Sequence, residues 1–244
     1  MENNCRNTPS TDWSNCTKCR LHATRNNVVV RGQWIINTEP FKPQPGVHPH
    51  IHPILPLSPG NERLAWQYLE NPPYPQPFIP YSLNLLKLPP HILIIGEAPG
   101  ESEDFHGVPF YGVAGHILRT VLDYSRTRFL ATITNTVCCR PTANDPISNR
   151  LTNRKPEPAE QFLCLSHTQE LLQAYKFDGV ILLGEVADEY NKQFIKTTLP
   201  TLQLYHPAYI ARLNYKLKPI REEGRKIQLW VKSLKTEKPF YAHS

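Results

Sequence analysis

The sequence predicts an α/β fold of three layers, in which helices cover both faces of a central, mostly parallel sheet of four strands. Short apolar runs alternate along the chain with longer segments of helical pattern, which is typical of β-α-β units. The clearest run, residues 91–95, is continuously apolar and ends in a glycine turn, as expected of a buried parallel strand. Polar motifs follow three of the predicted strands. Because ligands bind beyond the carboxyl ends of such strands, we expect these motifs to converge.

The predicted elements follow one another regularly after residue 90. Strands are expected at residues 91–95, 132–137, 179–183 and 201–205. Helices are expected at residues 115–124, 158–175, 185–194 and 220–234.

Three regions divide the chain. Residues 1–30 are polar and contain a Cys-x-x-Cys pair, and residues 91–244 form the predicted α/β core. Between them, residues 31–90 are proline-rich and offer one short helix candidate at residues 61–70. Because proline removes a backbone donor and fixes φ, this middle segment is interpreted as an insertion draped over the core.

Composition limits the functional classes. The 244-residue chain has no apolar run of membrane-spanning length and no secretory pattern near its start, so a soluble intracellular protein is expected, cytoplasmic or associated with the nucleoid. The formal charge is +6, and residues 212–238 carry nine Lys or Arg against three Glu. This excess suits a polyanionic partner, although a solvated face of a terminal helix would also explain it.

Six cysteines occur, at positions 5, 16, 19, 138, 139 and 164. In an intracellular chain, disulfides are not expected, and a Cys-x-x-Cys pair more often binds a metal or has a redox role. The spacing of Cys16 and Cys19 allows both thiolates to reach one metal centre.

Five motifs occur in a fixed order. A glycine-rich loop, residues 96–100, continues into the pattern Glu-x-Glu-Asp-x-x-Gly-x-Pro-Phe-x-Gly-x-Ala-Gly over residues 101–115. Residues 134–141 read Thr-Asn-Thr-Val-Cys-Cys-Arg-Pro, and residues 153–164 lead through Pro-Glu-Pro to a cysteine. Val-Ile-Leu-Leu-Gly at 180–184 and Tyr-His-Pro-Ala-Tyr at 205–209 complete the series.

This order of motifs resembles the uracil-DNA glycosylase superfamily, specifically its family 4 iron-sulfur enzymes, over roughly residues 10–30 and 91–215. The resemblance implies a DNA repair enzyme that flips uracil out of DNA and hydrolyses its N-glycosidic bond, leaving an abasic site. The departures are the long proline-rich insertion and an extended loop over residues 142–152. A covalent branch of the superfamily carries a reactive histidine in that loop, and no histidine occurs between Arg140 and Cys164.

The resemblance also implies roles for single residues. Phe110 would stack on the extruded uracil, and Asn135 would pair with its N3 and O4 edge. Glu97 would lie near the sugar, and His206 beside uracil O2. The two remaining base contacts would come from Ala98, whose loop amides face the base, and from Glu103, which would crowd the C5 side and disfavour thymine.

These assignments fit the chemistry of base excision. A base inside a duplex is inaccessible, so an enzyme must extrude it and read it by stacking and edge hydrogen bonds. Cleavage leaves a cationic sugar and an anionic base, which fixed donors and charges stabilise without a covalent nucleophile.

The resemblance further implies a [4Fe-4S] cluster and a DNA-binding loop. Cluster ligands would be Cys16, Cys19, Cys139 and Cys164, and a tetrahedral zinc site is the alternative that spacing does not exclude. After the histidine motif, Tyr209 and Ile210 would form an apolar wedge and Arg212 would contact phosphate.

A rival hypothesis is an inactive or weakly active glycosylase-fold subunit that binds DNA or serves as a scaffold, since fold does not guarantee activity. In either case uracil-containing DNA, single- or double-stranded, is the expected partner. The chain is expected to be a monomer, with a possible protein partner docking on residues 31–90.

Overall fold

The computed structural model describes residues 13–36, 89–213 and 217–234. The helix predicted at residues 61–70, Cys5 and most of the proline-rich segment lie outside these ranges. A five-stranded sheet forms the centre, in the spatial order β1-β3-β2-β6-β7. Its strands are β1 (Gly32–Ile36), β2 (His91–Gly96), β3 (Phe129–Asn135), β6 (Gly179–Leu183) and β7 (Thr201–Leu204). The four predicted strands are present and mutually parallel, and the predicted α/β class is confirmed.

The fifth strand, β1, corrects the sequence prediction. It pairs antiparallel with β3, with Gly32 opposite Ile133 and Ile36 opposite Phe129. Its Trp34 side chain is fully buried in the apolar core. The predicted boundary at residue 31 is therefore wrong, because residues 32–36 belong to the core sheet. Strand β1 is a short edge strand that lies far along the chain from its partner β3. The sequence around it therefore has no β-α-β pattern that would predict it.

Two helical layers enclose the sheet, as the alternation of β2 side chains shows. Ile92 and Ile94 pack into one apolar cluster, and Leu93 and Ile95 pack into another on the opposite face. The first layer contains α2 (Val113–Ser125), α5 (Pro207–Arg212) and α6 (Leu217–Ser233). The second contains α3 (Pro158–Ala174) and α4 (Glu185–Tyr190), which continues as a π-helical turn to Ile195. This is the three-layer arrangement expected from the sequence.

Two further elements arise where the sequence suggested only loops. A six-residue helix, α1 (Glu101–His106), starts directly after the glycine-rich loop. The extended loop after Pro141 forms a hairpin of β4 (Thr142–Asn144) and β5 (Leu151–Asn153). None of the described helices combines the length and the apolarity that crossing a bilayer requires.

Candidate active site and cysteine pocket

Gly96, at the end of β2, lies against the side chains of two of the predicted base contacts, Phe110 and Asn135. The parallel register places Gly96 opposite Asn135, so both lie at the same edge of the sheet. A Cβ atom at position 96 would lie 2.4 Å from Asn135 Oδ1 and 2.5 Å from Phe110 Cζ. Only glycine leaves room there for the amide and the ring, which explains why the strand ends in this residue.

Backbone geometry holds the Phe110 ring in place. Phe110 has φ of 55°, in the left-handed region that side chains other than glycine rarely adopt. At Gly115, an added Cβ would lie 1.6 Å from the carbonyl oxygen of Phe110. The start of α2 therefore packs directly on the Phe110 backbone, and the strained conformation is stabilised by its surroundings.

Glu97 follows Gly96 and is tied to the neighbouring strand. The Thr136 hydroxyl donates to the Glu97 carbonyl at 2.6 Å, and the Thr136 amide donates to the Gly96 carbonyl at 3.0 Å. Burial raises the pKa of the Glu97 carboxyl above its ordinary value, while the positive charges of Lys155 and Arg212 act to lower it. Lys155 was not singled out in the sequence, since a lone lysine in a loop carries no pattern.

Glu103 and Ala98 lie on either side of this loop. The Glu103 carboxylate folds back to accept a hydrogen bond from the Gly100 amide at 3.1 Å, which caps the start of α1. Ala98 packs against a small apolar cluster around Leu21 and Val137. The loop is therefore fixed on one side by a carboxylate and on the other by the cysteine region.

His206 caps α5 and has a defined tautomer. Its Nδ1 accepts a hydrogen bond from the Ala208 amide at 3.2 Å, so Nε2 carries the proton and is free to donate. Burial, with a smaller contribution from the positive charge of Arg212, lowers the pKa of His206 to about 4. A neutral imidazole that donates through Nε2 is therefore present at neutral pH. Gly184, with φ of 86°, lets the His206 backbone approach, since an added Cβ would lie 2.9 Å from His206 Cβ.

The two residues of the predicted apolar wedge differ in exposure, and the assignment of Ile210 to the wedge is wrong. Ile210 is 1% exposed and packs in the core beneath α5, so it is not available to enter DNA. Pro207 begins the helix, and one turn later the side chain of residue 210 points inward. Tyr209, by contrast, is 42% exposed. The positive charge of Arg212 acts to lower the pKa of both Glu97 and His206.

The four predicted cluster cysteines line one pocket. Its other walls are mainly apolar, and the full lining is Trp13, Cys16, Lys18, Cys19, Leu21, Arg25, Val28, Val137, Cys138, Cys139, Leu163 and Cys164. Within the described ranges, no three His, Cys, Asp or Glu side chains are grouped as a single metal ion would need. The four cysteines that the resemblance implied as ligands therefore border the same pocket as Cys138.

Hydrogen-bond donors point at two of the sulfurs. Arg25 donates to Cys139 Sγ at 3.5 Å, and the Cys138 amide donates to Cys164 Sγ at 3.3 Å. Burial raises the pKa of the Cys139 thiol to about 12, against the lowering effect of Arg25. The pKa of Cys164 is lowered, and the largest cause is the hydrogen bond that its sulfur accepts from the Cys138 thiol.

An ionic network that sequence reasoning missed joins the cysteine segments. Glu160, buried at the start of α3, accepts hydrogen bonds from Arg154 Nη1 at 2.8 Å and from Arg20 Nε at 3.0 Å. Arg20 also pairs with Glu157. Burial acts to raise the pKa of Glu160, but the hydrogen bonds from Arg154, the Glu157 amide and Arg20 outweigh it and hold the pKa at about 2. The only local signal was the spacing of Glu157 and Glu160, which forms a capping box.

Comparison with known proteins agrees with this geometry. A family model described as the uracil DNA glycosylase superfamily matches residues 84–230, more than half of the chain. A protein named type-4 uracil-DNA glycosylase from Saccharolobus solfataricus is 36% identical over 101 residues, covering 41% of this chain and 43% of that protein. Proteins of the same name from Archaeoglobus fulgidus and Thermotoga maritima are each 29% identical, covering 57% and 50% of this chain and 61% and 66% of theirs.

The matched stretches span 43% to 66% of the length of these curated relatives. With the family model covering most of the described core, the chain belongs to the uracil DNA glycosylase superfamily.

Proposed function

We propose that this protein is a uracil-DNA glycosylase that hydrolyses the N-glycosidic bond of uracil extruded from DNA. The observation that carries the proposal is the meeting of the Phe110 ring and the Asn135 amide over Gly96, where no larger residue fits. An aromatic face and an amide edge are the two groups needed to read an isolated pyrimidine.

Base recognition follows from these two side chains. Uracil stacks on Phe110, while the Asn135 carbonyl accepts from N3–H and its NH₂ group donates to O4. Cytosine presents an acceptor at N3 and a donor at C4, so it leaves both groups of the amide mismatched. Glu103, fixed on the Gly100 amide, excludes a C5 methyl group, and the amide of Ala98 faces the base.

Catalysis is electrostatic. As the bond between C1′ and N1 breaks, its electron pair passes to the base and negative charge builds up on O2. His206 donates its Nε2–H to that oxygen, and its neutral state makes it a fixed donor that needs no proton transfer. Glu97 stabilises the positive charge on the sugar and orients the water whose oxygen bonds to C1′ and whose proton is released.

We further infer a [4Fe-4S] cluster held by Cys16, Cys19, Cys139 and Cys164. Four thiols around mainly apolar walls suit such a cluster, and N–H donors to cysteine sulfur commonly tune one. The cluster would supply a structural link rather than chemistry, joining the N-terminal segment to α3. Zinc is the alternative, and iron and acid-labile sulfide analysis distinguishes the two. Cys139→Ala should lose the cluster, while Cys138→Ala should retain it.

Affinity for DNA is assigned to Tyr209 and Arg212, with Tyr209 at the minor groove and Arg212 on phosphate. Both lie beside His206 on α5. Positive charge on α6 adds a nonspecific attraction that salt should weaken.

The deciding experiment is release of free uracil from single-uracil oligonucleotides, with thymine and hypoxanthine mismatches in parallel. Wild-type protein should release uracil and leave an abasic site. Asn135→Ala and His206→Ala should each reduce release by about 100-fold or more. No release at high enzyme concentration, with DNA binding intact, would establish the inactive scaffold instead.

A further inference from the structure

Two exposed tyrosines flank His206 in the sequence, and the function proposed above assigns a role only to Tyr209. Tyr205 directly precedes His206 and is 52% exposed, and Tyr209 follows on α5. Their ring centroids lie 5.3 Å apart with an interplanar angle of 41°. The two rings therefore form one exposed aromatic surface next to His206 in the sequence.

A buried carboxylate on α6 holds this surface in position. Glu223 is 1% exposed, and its Oε2 accepts a hydrogen bond from the Tyr205 amide at 2.8 Å. Its Oε1 accepts from Lys226 Nζ at 2.6 Å, and that ammonium group lies 5.3 Å from the Tyr205 ring centroid. One carboxylate thus fixes both the backbone that carries the ring and the cation beside it.

The chemistry of this surface suits a nucleic acid strand. Exposed aromatic faces next to cations are the feature by which proteins bind unpaired nucleotides, because bases stack on the rings and phosphates meet the positive charges. Two further exposed cations, Arg221 and Arg225, lie on α6, the helix that carries Glu223 and Lys226.

We propose that the Tyr205–Tyr209 surface is a stacking site for the unpaired base next to the extruded uracil, so that single-stranded uracil DNA binds more tightly than duplex. The proposal rests on the glycosylase function above. In a duplex, the neighbouring base is already stacked and paired, and it gains little from the tyrosines. In a single strand, the same base is free to leave its neighbours and stack on the protein.

The test uses wild-type protein and oligonucleotides whose uracil carries a 2′-fluoro sugar that resists cleavage, in single-stranded and duplex form. Affinity is measured by fluorescence anisotropy. Tyr205→Leu should weaken single-strand binding by about tenfold and duplex binding by about twofold or less. Tyr205→Phe is the matched control, since it keeps the ring, and it should bind within about twofold of wild type.

A second probe reports the stacking directly. With 2-aminopurine next to the uracil, wild-type protein should change its fluorescence in the single strand, and Tyr205→Leu should remove that change. Equal weakening of both forms, or no weakening of either, overturns the stacking site. Because neither measurement needs cleavage, a wild-type protein that shows the single-strand effect but releases no uracil refutes the glycosylase proposal alone.

Discussion

The base site and the cysteine pocket are built in different ways, although they share the loop around Ala98. The base site consists of backbone close contacts at the ends of adjacent parallel strands, where Gly96 and Asn135 are in register. The cysteine pocket joins segments more than 100 residues apart through side-chain bonds, such as those of Arg20 and Arg25. The first is preorganised by the sheet itself, and the second depends on charges that pH and substitution can remove.

Gly96→Ala should disrupt the base site and leave the cysteine pocket intact. The new methyl group would have to displace Asn135 Oδ1 and Phe110 Cζ, which lie 2.4 and 2.5 Å from its position. Because misplacement of about 1 Å costs about 100-fold in rate, uracil release should fall by at least that factor. Iron content should stay at the wild-type level. Gly112→Ala is the matched control, since its nearest contacts, Ser102 Cβ and Oγ, lie at an ordinary 3.4 Å. Equal losses in both variants would contradict the role given to Gly96.

Glu160→Gln should weaken the cysteine pocket and leave the base site intact. It removes the charge that Arg154 and Arg20 share while keeping the size of the side chain, and we expect a loss of about 2 kcal/mol in the free energy of unfolding. Urea unfolding would measure this loss, and iron should be released at lower urea than in wild type.

The pH dependence of Glu160 sharpens that test. Its folded pKa is about 2, below the ordinary 4.5, so its stabilisation is complete above about pH 4.5 and is lost as the pH falls toward 2. The variant should lack this part of the acid dependence. Identical acid unfolding curves for Glu160→Gln and wild type would show that the network adds nothing.

Arg212→Gln should have a smaller effect, mainly on DNA binding. A single phosphate contact contributes about one unit to the slope of log affinity against log salt, so the variant should bind several-fold more weakly at low salt and with a shallower slope. Loss of this charge should also raise the pKa of Glu97 and of His206, which it lowers in the wild type. An unchanged salt slope would remove Arg212 from the DNA interface.

Sequence reasoning succeeded where one local pattern determines the structure. The apolar run at residues 91–95 and the glycine after it define both the central strand and the close contacts with Phe110 and Asn135. It failed where the outcome depends on distant partners or on helix phase. Strand β1 is recognisable only through its pairing with β3, and Glu160 meets Arg20 across 140 residues. Ile210 is buried because Pro207 begins a helix there, whereas an apolar residue in a loop would be exposed.

The smallest expected effect concerns protonation of the base site near neutral pH. His206 has a folded pKa of about 4, below the ordinary 6.5, so the folded protein resists protonation of its imidazole. Between pH 6.5 and 4 the unfolded chain binds the extra proton, and this residue therefore reduces stability as the pH falls through that window. Above it, His206 remains neutral and contributes no pH dependence to uracil release.

Glu97 has the opposite shift, since burial raises its pKa above 4.5, and its ionised form is the one proposed to stabilise the sugar cation. As the pH falls, activity should therefore decline with protonation of Glu97 before His206 titrates. Glu97→Gln should be slower at every pH and should lack this decline. Nitrogen NMR of His206, assigned with His206→Gln, should show Nε2–H and a midpoint near 4. A midpoint near 6.5 would mean that the imidazole is not buried as described, and the base site would then be as sensitive to pH as the cysteine pocket.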